Sequence, residues 1–402
     1  MNKLALTFIF LTTLMDSIGF GIIIPVLPDL LMDVTGRDLS ASVRHSGWLM
    51  FVFAVMQFLF APLVGNLSDR FGRRPVLLLS LFVMGVNYIL MGFAQTLLLL
   101  FVGRVISGIG AATMSTCNAY IADISPANKR AQNFGIIGAA FGLGFVIGPV
   151  IGGFLGEYGA RVPFFAAAGL SFLNMAFGYF VLRESLAPEH RRRFDIKRAN
   201  PLGTLLQLRV FPVVVGIVAV MFLINLGHHA LPSTWSFWAI EKFDWSPRDI
   251  GYSLGFIGIG MVLVQGVLIR WLLPLIGMRW SAIVGMSFSI CAFTGYALAN
   301  QTWMVYLALI PGALGGFTGP ALQGIASGQV GADQQGELQG GLASVMSLTS
   351  IISPLMMTQL FGYFTAPTAP IYFPGAAFVL AVLLTVLALL LFVKISAGDR
   401  FS

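Results

Sequence analysis

Long apolar stretches separated by short polar segments run along the whole chain. Most of them are close to about 20 residues long, which is the length that an α-helix needs to cross a lipid bilayer. Their approximate bounds are 4–28, 46–64, 75–94, 97–121, 133–156, 163–182, 210–231, 250–270, 280–299, 303–328, 338–362 and 373–393. The pattern predicts an all-α membrane protein with about twelve transmembrane helices, which we call spans 1 to 12.

The most informative polar interruption is the segment GNLSDRFGRRP at 65–75, between spans 2 and 3. It resembles the signature loop of the major facilitator superfamily, Gly-x-Leu-x-Asp-Arg-x-Gly-Arg-Arg/Lys. The matching residues are Gly65, Leu67, Asp69, Arg70, Gly72, Arg73 and Arg74. The resemblance implies a secondary transporter built from two six-helix bundles.

In such a loop, we expect Asp69 and Arg70 to form ion pairs and helix-end contacts that latch the cytoplasmic side closed. Asp123, at the end of span 4, is a predicted partner. The simpler alternative is a loop whose positive charge only sets membrane orientation. Such a loop would need the arginines but neither Asp69 nor the glycines.

Composition and charge support a membrane protein. Hydrophobic residues make up 57% of the chain and charged residues only 10%, whereas soluble proteins have about 25% charged residues. Lys and Arg are concentrated in one alternate set of loops, which predicts that this side and both termini are cytoplasmic. This bias accounts for the net charge of +7 without a nucleic-acid partner.

The longest polar interruption, RESLAPEHRRRFDIKRAN at 183–200, lies near the middle of the chain. It predicts an N-terminal six-helix bundle at 1–182, a cytoplasmic linker at 183–209 and a C-terminal six-helix bundle at 210–402. An offset of 205 aligns Gly72 with Gly277 and Ile147 with Ile352. The repeat indicates a duplicated six-helix unit.

Two ionisable residues lie within predicted spans of the N-terminal half. Asp16 is expected near the middle of span 1, where a carboxylate is kept only if it faces a cavity or a partner. Burial favours the neutral form of a carboxyl group, so Asp16 is a candidate proton carrier. Arg104, in span 4, stays charged and is expected to pair with Asp16 in one conformation and to separate from it in another. A permanent structural hydrogen bond or ion pair is the alternative for each residue.

Span 5 carries glycines at steps of about four residues, which form a flat face for close helix packing. The central positions are Gly144, Gly148, Pro149, Gly152 and Gly153. They are similar to the Gly-x-x-x-Gly-Pro-x-x-Gly-Gly motif of drug/proton antiporters in the superfamily. This resemblance implies export rather than uptake, although glycine packing is also common in other membrane helices.

In the superfamily, spans 1, 4, 7 and 10 line the central cavity. Polar or aromatic side chains on or near these spans are the candidates for substrate binding: Gln57, Asn118, Phe141, Asn225, His228, His229, Trp235, Gln265 and Gln323. His228 and His229 are adjacent and point about 100° apart on a helix, so both cannot face the same centre. No metal-binding cluster, phosphate loop or nucleophile motif is evident. We therefore predict a monomeric transporter without cofactor or enzymatic activity, driven by the proton gradient.

Further segments resemble the tetracycline exporter branch of the drug/proton antiporters, including 16–28, 66–78, 119–124 and 335–340. The resemblance implies proton-driven export of amphipathic compounds across a bacterial inner membrane, with tetracycline-like antibiotics as one substrate class. Three ionisable groups of that branch are replaced here, at Asn87, Met261 and near Ser289. These departures predict a different or broader substrate. A metabolite or sugar efflux porter of the same fold is the alternative.

Overall fold

The computed structural model describes residues 3–112, 114–126, 130–191, 212–331 and 334–396. Within these ranges the chain forms helices and turns, with no β-strand. The α-helices are α1 (Lys3–Gly21), α2 (Leu27–Thr35), α3 (Leu39–Phe71), α4 (Arg73–Gly92), α5 (Leu97–Ala111), α6 (Met114–Ile124), α7 (Arg130–Gly156), α8 (Val162–Val181), α9 (Pro212–His228), α10 (Ala230–Phe243), α11 (Pro247–Leu263), α12 (Ile269–Leu298), α13 (Thr302–Leu314), α14 (Thr318–Gly328), α15 (Gln335–Phe364) and α16 (Ala376–Ser396).

Eleven helical segments of the described residues are long and apolar enough to cross a membrane. The sequence predicted about twelve, and the difference arises in one segment. Pro247–Leu298 forms a continuous run of 52 residues, where spans 8 and 9 were expected. Gly277 lies inside this run with φ 75 and ψ 165, which is not a helical conformation. Glycine adopts positive φ at no steric cost, so the chain changes direction there.

Span 1 is longer than predicted and is interrupted near its end. α1 stops at Gly21, a short 3-10 turn follows at Ile24–Val26, and α2 continues to Thr35. Pro25 has no backbone N–H to donate, so a regular α-helix cannot continue through it. α2 ends at Thr35, and the next residue, Gly36, has a left-handed φ of 61.

Span 2 is also longer than predicted. α3 continues through most of the signature segment and ends at Phe71, so the expected charged turn at 65–75 is largely helical. Only Gly72, with φ 104 and ψ 157, separates α3 from α4. Pro75 falls in the first turn of α4, where its missing N–H has no helical partner to lose.

Contacts divide the chain into two compact units. The first unit contains the described residues of 1–37, 52–201 and 246–255, and the second contains those of 38–51, 202–245 and 256–402. This division differs from the predicted bundles at 38–51 and at 246–255. Most of the predicted linker, from 192 to 209, lies outside the described residues. The division into bundles at 1–182 and 210–402 therefore stays a prediction.

Each unit has its own apolar core. The core of the first unit brings Phe8 and Ile9 of α1 against Leu77 and Leu81 of α4 and Tyr120 of α6. The core of the second unit is built mainly by α9, α12, α14, α15 and α16, with Ile217, Met286, Leu322, Leu342 and Phe392 among its buried residues. These packed cores fix the helices that carry the candidate site residues.

Candidate functional site

The turn between α3 and α4 is held by a carboxylate from a distant part of the sequence. The backbone N–H groups of Arg73 and Arg74 donate to the Glu184 carboxylate at 2.8 and 3.2 Å. The first N–H groups of a helix have no partner within the helix, and the helix dipole favours a negative charge there. A Cβ atom at Gly72 would collide with this carboxylate. Glycine is therefore required at Gly72 both by its positive φ and by the close approach of Glu184.

Arg73 is the centre of the ion pairs at this turn. Its guanidinium lies 2.5 Å from the Asp69 carboxylate and 3.3 Å from the Asp123 carboxylate, and it also donates to the Ser68 hydroxyl. Ser185 donates to the same Asp123 carboxylate at 3.0 Å. Arg73 is only 8% exposed, so it links α3, α6 and the segment after α8 through partly buried ion pairs.

Arg70, which was expected to form ion pairs at this turn together with Asp69, forms none with the described residues. The Arg70 guanidinium lies over the Phe71 ring at 5.0 Å, and the Asp69 carboxylate is bound by Arg73 instead, four residues away. Arg74 donates to the backbone carbonyl of Tyr179 at 2.7 Å. Gly65 makes only an ordinary contact, because its Cβ position is 3.8 Å from the Ser115 hydroxyl. We call Asp69, Arg73, Asp123 and Glu184 the Arg73 cluster.

The glycines of the antiporter motif pack directly against backbone. Cβ atoms at Gly144, Gly148 and Gly152 would meet backbone atoms of α1 and of the turn that follows it, including the carbonyl oxygens of Leu14 at 2.6 Å and Ile18 at 2.8 Å. At Gly152 the obstacle is the carbonyl oxygen of Ile22. A side chain at any of these positions would separate α7 from the helix that carries Asp16.

The motif has a second face toward the start of α11. A Cβ at Gly153 would collide with the Pro247 carbonyl oxygen, and one at Gly251 would lie 2.6 Å from the Pro149 carbonyl oxygen. The guanidinium of Arg248 lies 3.6 Å from the Glu157 carboxylate beside this contact. Pro149 and Gly153 therefore pack against 247–251, which belongs to the same contact unit.

Asp16 and Arg104 lie in one region but do not form an ion pair. Among the described residues, no hydrogen bond or ion pair joins them, and Nε of Arg104 has no hydrogen-bond partner. Arg104 is 8% exposed. Tyr88 is within electrostatic reach of both groups, and its hydroxyl is 3.0 Å from the Cβ position of Gly19, about one turn after Asp16. The expected pairing of Asp16 with Arg104 in another conformation stays a prediction.

Asn87 is one of the three positions at which the sequence resemblance predicted an ionisable group. Its amide nitrogen donates to the Ser107 hydroxyl at 2.7 Å, while its carbonyl oxygen has no hydrogen-bond partner. Asn87 is 1% exposed. Ser107 is one turn after Arg104 on α5, so Asn87 lies beside the unpaired arginine.

Four phenylalanine rings form a row that includes the predicted Phe141. Ring centroids are 6.1 Å apart for Phe53 and Phe20, 6.4 Å for Phe20 and Phe145, and 6.4 Å for Phe145 and Phe141. Phe20 is 43% exposed and Phe141 is 49% exposed. Gln57 is one turn after Phe53 on α3 and half-buried, and Asn118 is exposed on α6. We call these four rings the aromatic row.

The other predicted substrate residues belong to the second unit. His229 lies 3.3 Å from the Ser350 hydroxyl, whereas the His228 ring packs edge-on against Phe293 at 5.4 Å. The two imidazoles thus face different helices. Asn225 donates to the Met221 carbonyl oxygen at 2.7 Å. Gln265 and Gln323 are exposed, and Gln323 donates to Gln339 at 3.1 Å.

Trp235 is not placed as a substrate residue would be. It is 1% exposed and packed among other rings, with centroid distances of 5.0 Å to Trp238 and 5.2 Å to Tyr296. This large aromatic side chain therefore stabilises the second unit. Within the described residues, no group of three His, Cys, Asp or Glu side chains could hold a metal ion.

Comparisons with known proteins agree with this geometry. The profile of the Major Facilitator Superfamily matches residues 9–354. The chain is 40% identical over 357 residues to the class C tetracycline resistance protein of Escherichia coli, and the match covers 89% of each chain. It is 30% identical over 367 residues to the quinolone resistance protein NorA of Staphylococcus aureus, covering 88% of this chain and 89% of that protein.

Solved structures include one of the human organic anion transporter MFSD10 (TETRAN), which superposes with a TM-score of 0.69 at 25% identity, covering 97% of this chain and 99% of that one. The fold and the sequence matches lead to the same assignment. The chain belongs to the major facilitator superfamily, in the branch of the tetracycline resistance proteins.

Proposed function

We propose that the chain is a proton-coupled antiporter that exports amphipathic small molecules, including tetracycline-like antibiotics, across a bacterial inner membrane. The observation that carries this proposal is the packing of the complete antiporter motif. Gly144, Gly148 and Gly152 lie against the backbone of α1 and its terminal turn, and α1 carries Asp16. The 40% identity to a tetracycline resistance protein supports the substrate class. The superfamily consists of transporters, which argues against an enzyme.

In the membrane, the chain forms twelve spans with both termini in the cytoplasm. Gly277, which has φ 75, divides the segment 247–298 into spans 8 and 9. The distribution of Lys and Arg supports the orientation. The spans form two six-helix bundles, 1–182 and 210–402, joined by the cytoplasmic linker 183–209. The chain acts as a monomer and uses the proton gradient, without a cofactor.

Transport proceeds by alternating access, in which the substrate site is open to one side of the membrane at a time. Asp16 takes up a proton from the periplasmic side as the substrate leaves, and releases it to the cytoplasm. The unneutralised charge of Arg104 in the same region favours the release, because a nearby cation stabilises a carboxylate. The aromatic row offers flat surfaces on which amphipathic ring systems can stack.

The Arg73 cluster controls the cytoplasmic side of this cycle. Its ion pairs connect α3 and α4 with α6 and with the segment after α8. Removing one partner of such a salt bridge costs little when the pair is exposed and more when it is partly buried, because an unpaired charge is left behind. We therefore assign to Arg73, rather than Arg70, the main contribution to the latch.

Proton flux in proteoliposomes tests the function. Purified protein is reconstituted with a pH-sensitive dye trapped inside the vesicles, and tetracycline is added outside. Antiport predicts a change in internal pH that depends on both the drug and the protein. Equal responses to tetracycline and to neutral sugars, or a response to sugars alone, would favour the metabolite or sugar porter instead.

A further inference from the structure

Arg104 is a buried cation without an anionic partner. It is 8% exposed, its Nε atom has no hydrogen-bond partner, and no ion pair joins it to another described residue. A buried charge is unfavourable unless it is paired and hydrogen-bonded. Most of that penalty could be relieved by an anion that enters the site from outside the protein.

Asn87 supplies the second unpartnered group. Its amide nitrogen is used by Ser107, which leaves its carbonyl oxygen as a buried acceptor without a donor. That oxygen is 3.3 Å from the Cβ position of Gly103, the residue before Arg104. α5 thus carries the unpaired cation of Arg104, and α4 places the unpaired carbonyl oxygen of Asn87 against the neighbouring residue, Gly103.

The two groups adjoin the aromatic row. Gly108 is one turn after Arg104 on α5, and its Cβ position is 2.5 Å from the carbonyl oxygen of Phe53. The ring of Phe53 in turn faces that of Phe20, which is 43% exposed. Through Gly108, α5 therefore packs against the residue that carries one ring of the aromatic row, one turn away from Arg104.

We infer that Arg104 and Asn87 form a binding subsite for aromatic organic anions that carry a hydroxyl or amide donor next to the charged oxygen. The guanidinium of Arg104 takes the anionic oxygen, and the carbonyl oxygen of Asn87 accepts the neighbouring hydrogen bond. An acid at the position of Asn87 would neutralise Arg104 and close this subsite to anions. The neutral amide is therefore the residue that determines the specificity.

This subsite rests on the proposed function, because its ligand is the exported substrate. Tyr88 is a titratable group within electrostatic reach of Arg104, and Asp16 is within reach of the same Tyr88.

Equilibrium binding to the purified protein at one fixed pH tests the subsite. The probes are 3-hydroxy-2-naphthoate, its neutral methyl ester and the cation 2-naphthylmethylammonium, which share the same ring system. A charge-assisted hydrogen bond predicts that the acid binds about tenfold or more tightly than the ester and the cation. Equal affinity for the acid and the ester, or no binding of the acid up to about 1 mM, would overturn the inference.

Two variants place the effect at the subsite. R104Q keeps hydrogen-bond donors but removes the charge, and it should abolish the preference for the acid. N87D supplies a carboxylate and should reverse the preference toward the cation. R37Q removes an exposed charge on the same unit and should leave the preference unchanged. A preference for the acid that survives in R104Q would refute the subsite.

These binding measurements need no proton gradient, so their failure is distinct from that of the proposed function. Equal affinity of the wild type for the acid and the ester, together with intact drug-dependent proton flux, would refute only the anion subsite. A clear preference without any proton flux would refute the antiport mechanism instead. The wild-type comparison alone decides the inference if either variant fails to fold.

Discussion

Replacing Gly152 by alanine tests the close packing of α7 on the turn after α1. The added Cβ would lie well inside van der Waals contact with the carbonyl oxygen of Ile22, at least about 1 Å short of the optimal separation. The obstacle is backbone, which cannot rotate away as a side chain can. We therefore expect an overpacking cost of about 3 kcal/mol, the upper end of the usual range.

Alanine also has a higher helix propensity than glycine, which offsets about 1 kcal/mol of this cost. The net destabilisation is then about 2 kcal/mol. For a unit of about 200 residues, each kcal/mol shifts the melting midpoint by about 2–4 °C. The Gly152→Ala variant should therefore melt about 4–8 °C below the wild type, and drug export should fall with it.

The same helix offers a matched control. Gly142 has no atom within 4 Å of its Cβ position, so Gly142→Ala should keep the wild-type midpoint or raise it slightly. Both variants and the wild type are heated at one scan rate in the same detergent, with intact protein measured by size-exclusion chromatography. Equal midpoints for the two variants would refute the close packing of Gly152 on Ile22.

Further predictions concern the turn between α3 and α4. Arg73→Ala leaves the Asp69 and Asp123 carboxylates without their shared cation, so it should destabilise the protein by about 1–3 kcal/mol and reduce export. Arg70→Ala removes only an exposed ring contact worth about 0.5–1 kcal/mol. Thermal melting and vesicle export measure both variants, and equal effects would contradict the assignment of the latch to Arg73. Gly72→Ala should cost about 1–3 kcal/mol because φ is 104. Gly65→Ala should be tolerated, since its Cβ meets only an ordinary contact, and a similar loss in both glycine variants would argue against this account.

Hydrophobic patterning was sufficient to predict most of the membrane helices. The bilayer fixes the length of each span, so the apolar runs identified nearly all of them without knowledge of packing. The helix ends were less accurate, because polar turns such as 66–71 stay helical beyond the apolar run. In the segment 247–298 the sequence predicted two spans, whereas the structure has one run of 52 residues that changes direction at Gly277 without a break in the run.

The contacts of the candidate site were harder to predict, because they depend on residues that are distant in the sequence. Glu184 caps α4 from 111 residues away, and no local pattern indicates that partner. Arg70 and Arg73 are the same residue type within one motif, so the sequence does not distinguish them. Only the turn at Gly72 determines that Arg73 reaches Asp69 and Asp123. Trp235 looked like a binding residue for the same reason that it packs well, since a large aromatic ring suits both roles.

The central claim is that Asp16 carries the proton, and the Asp16→Asn variant tests it most directly. Asparagine has nearly the size of a protonated aspartate but can neither load nor release a proton. The variant should fold, bind drug and exchange labelled drug across proteoliposomes at equal concentrations. Uphill export driven by an imposed pH gradient should be lost. Uphill export at the wild-type rate in Asp16→Asn proteoliposomes would contradict the account.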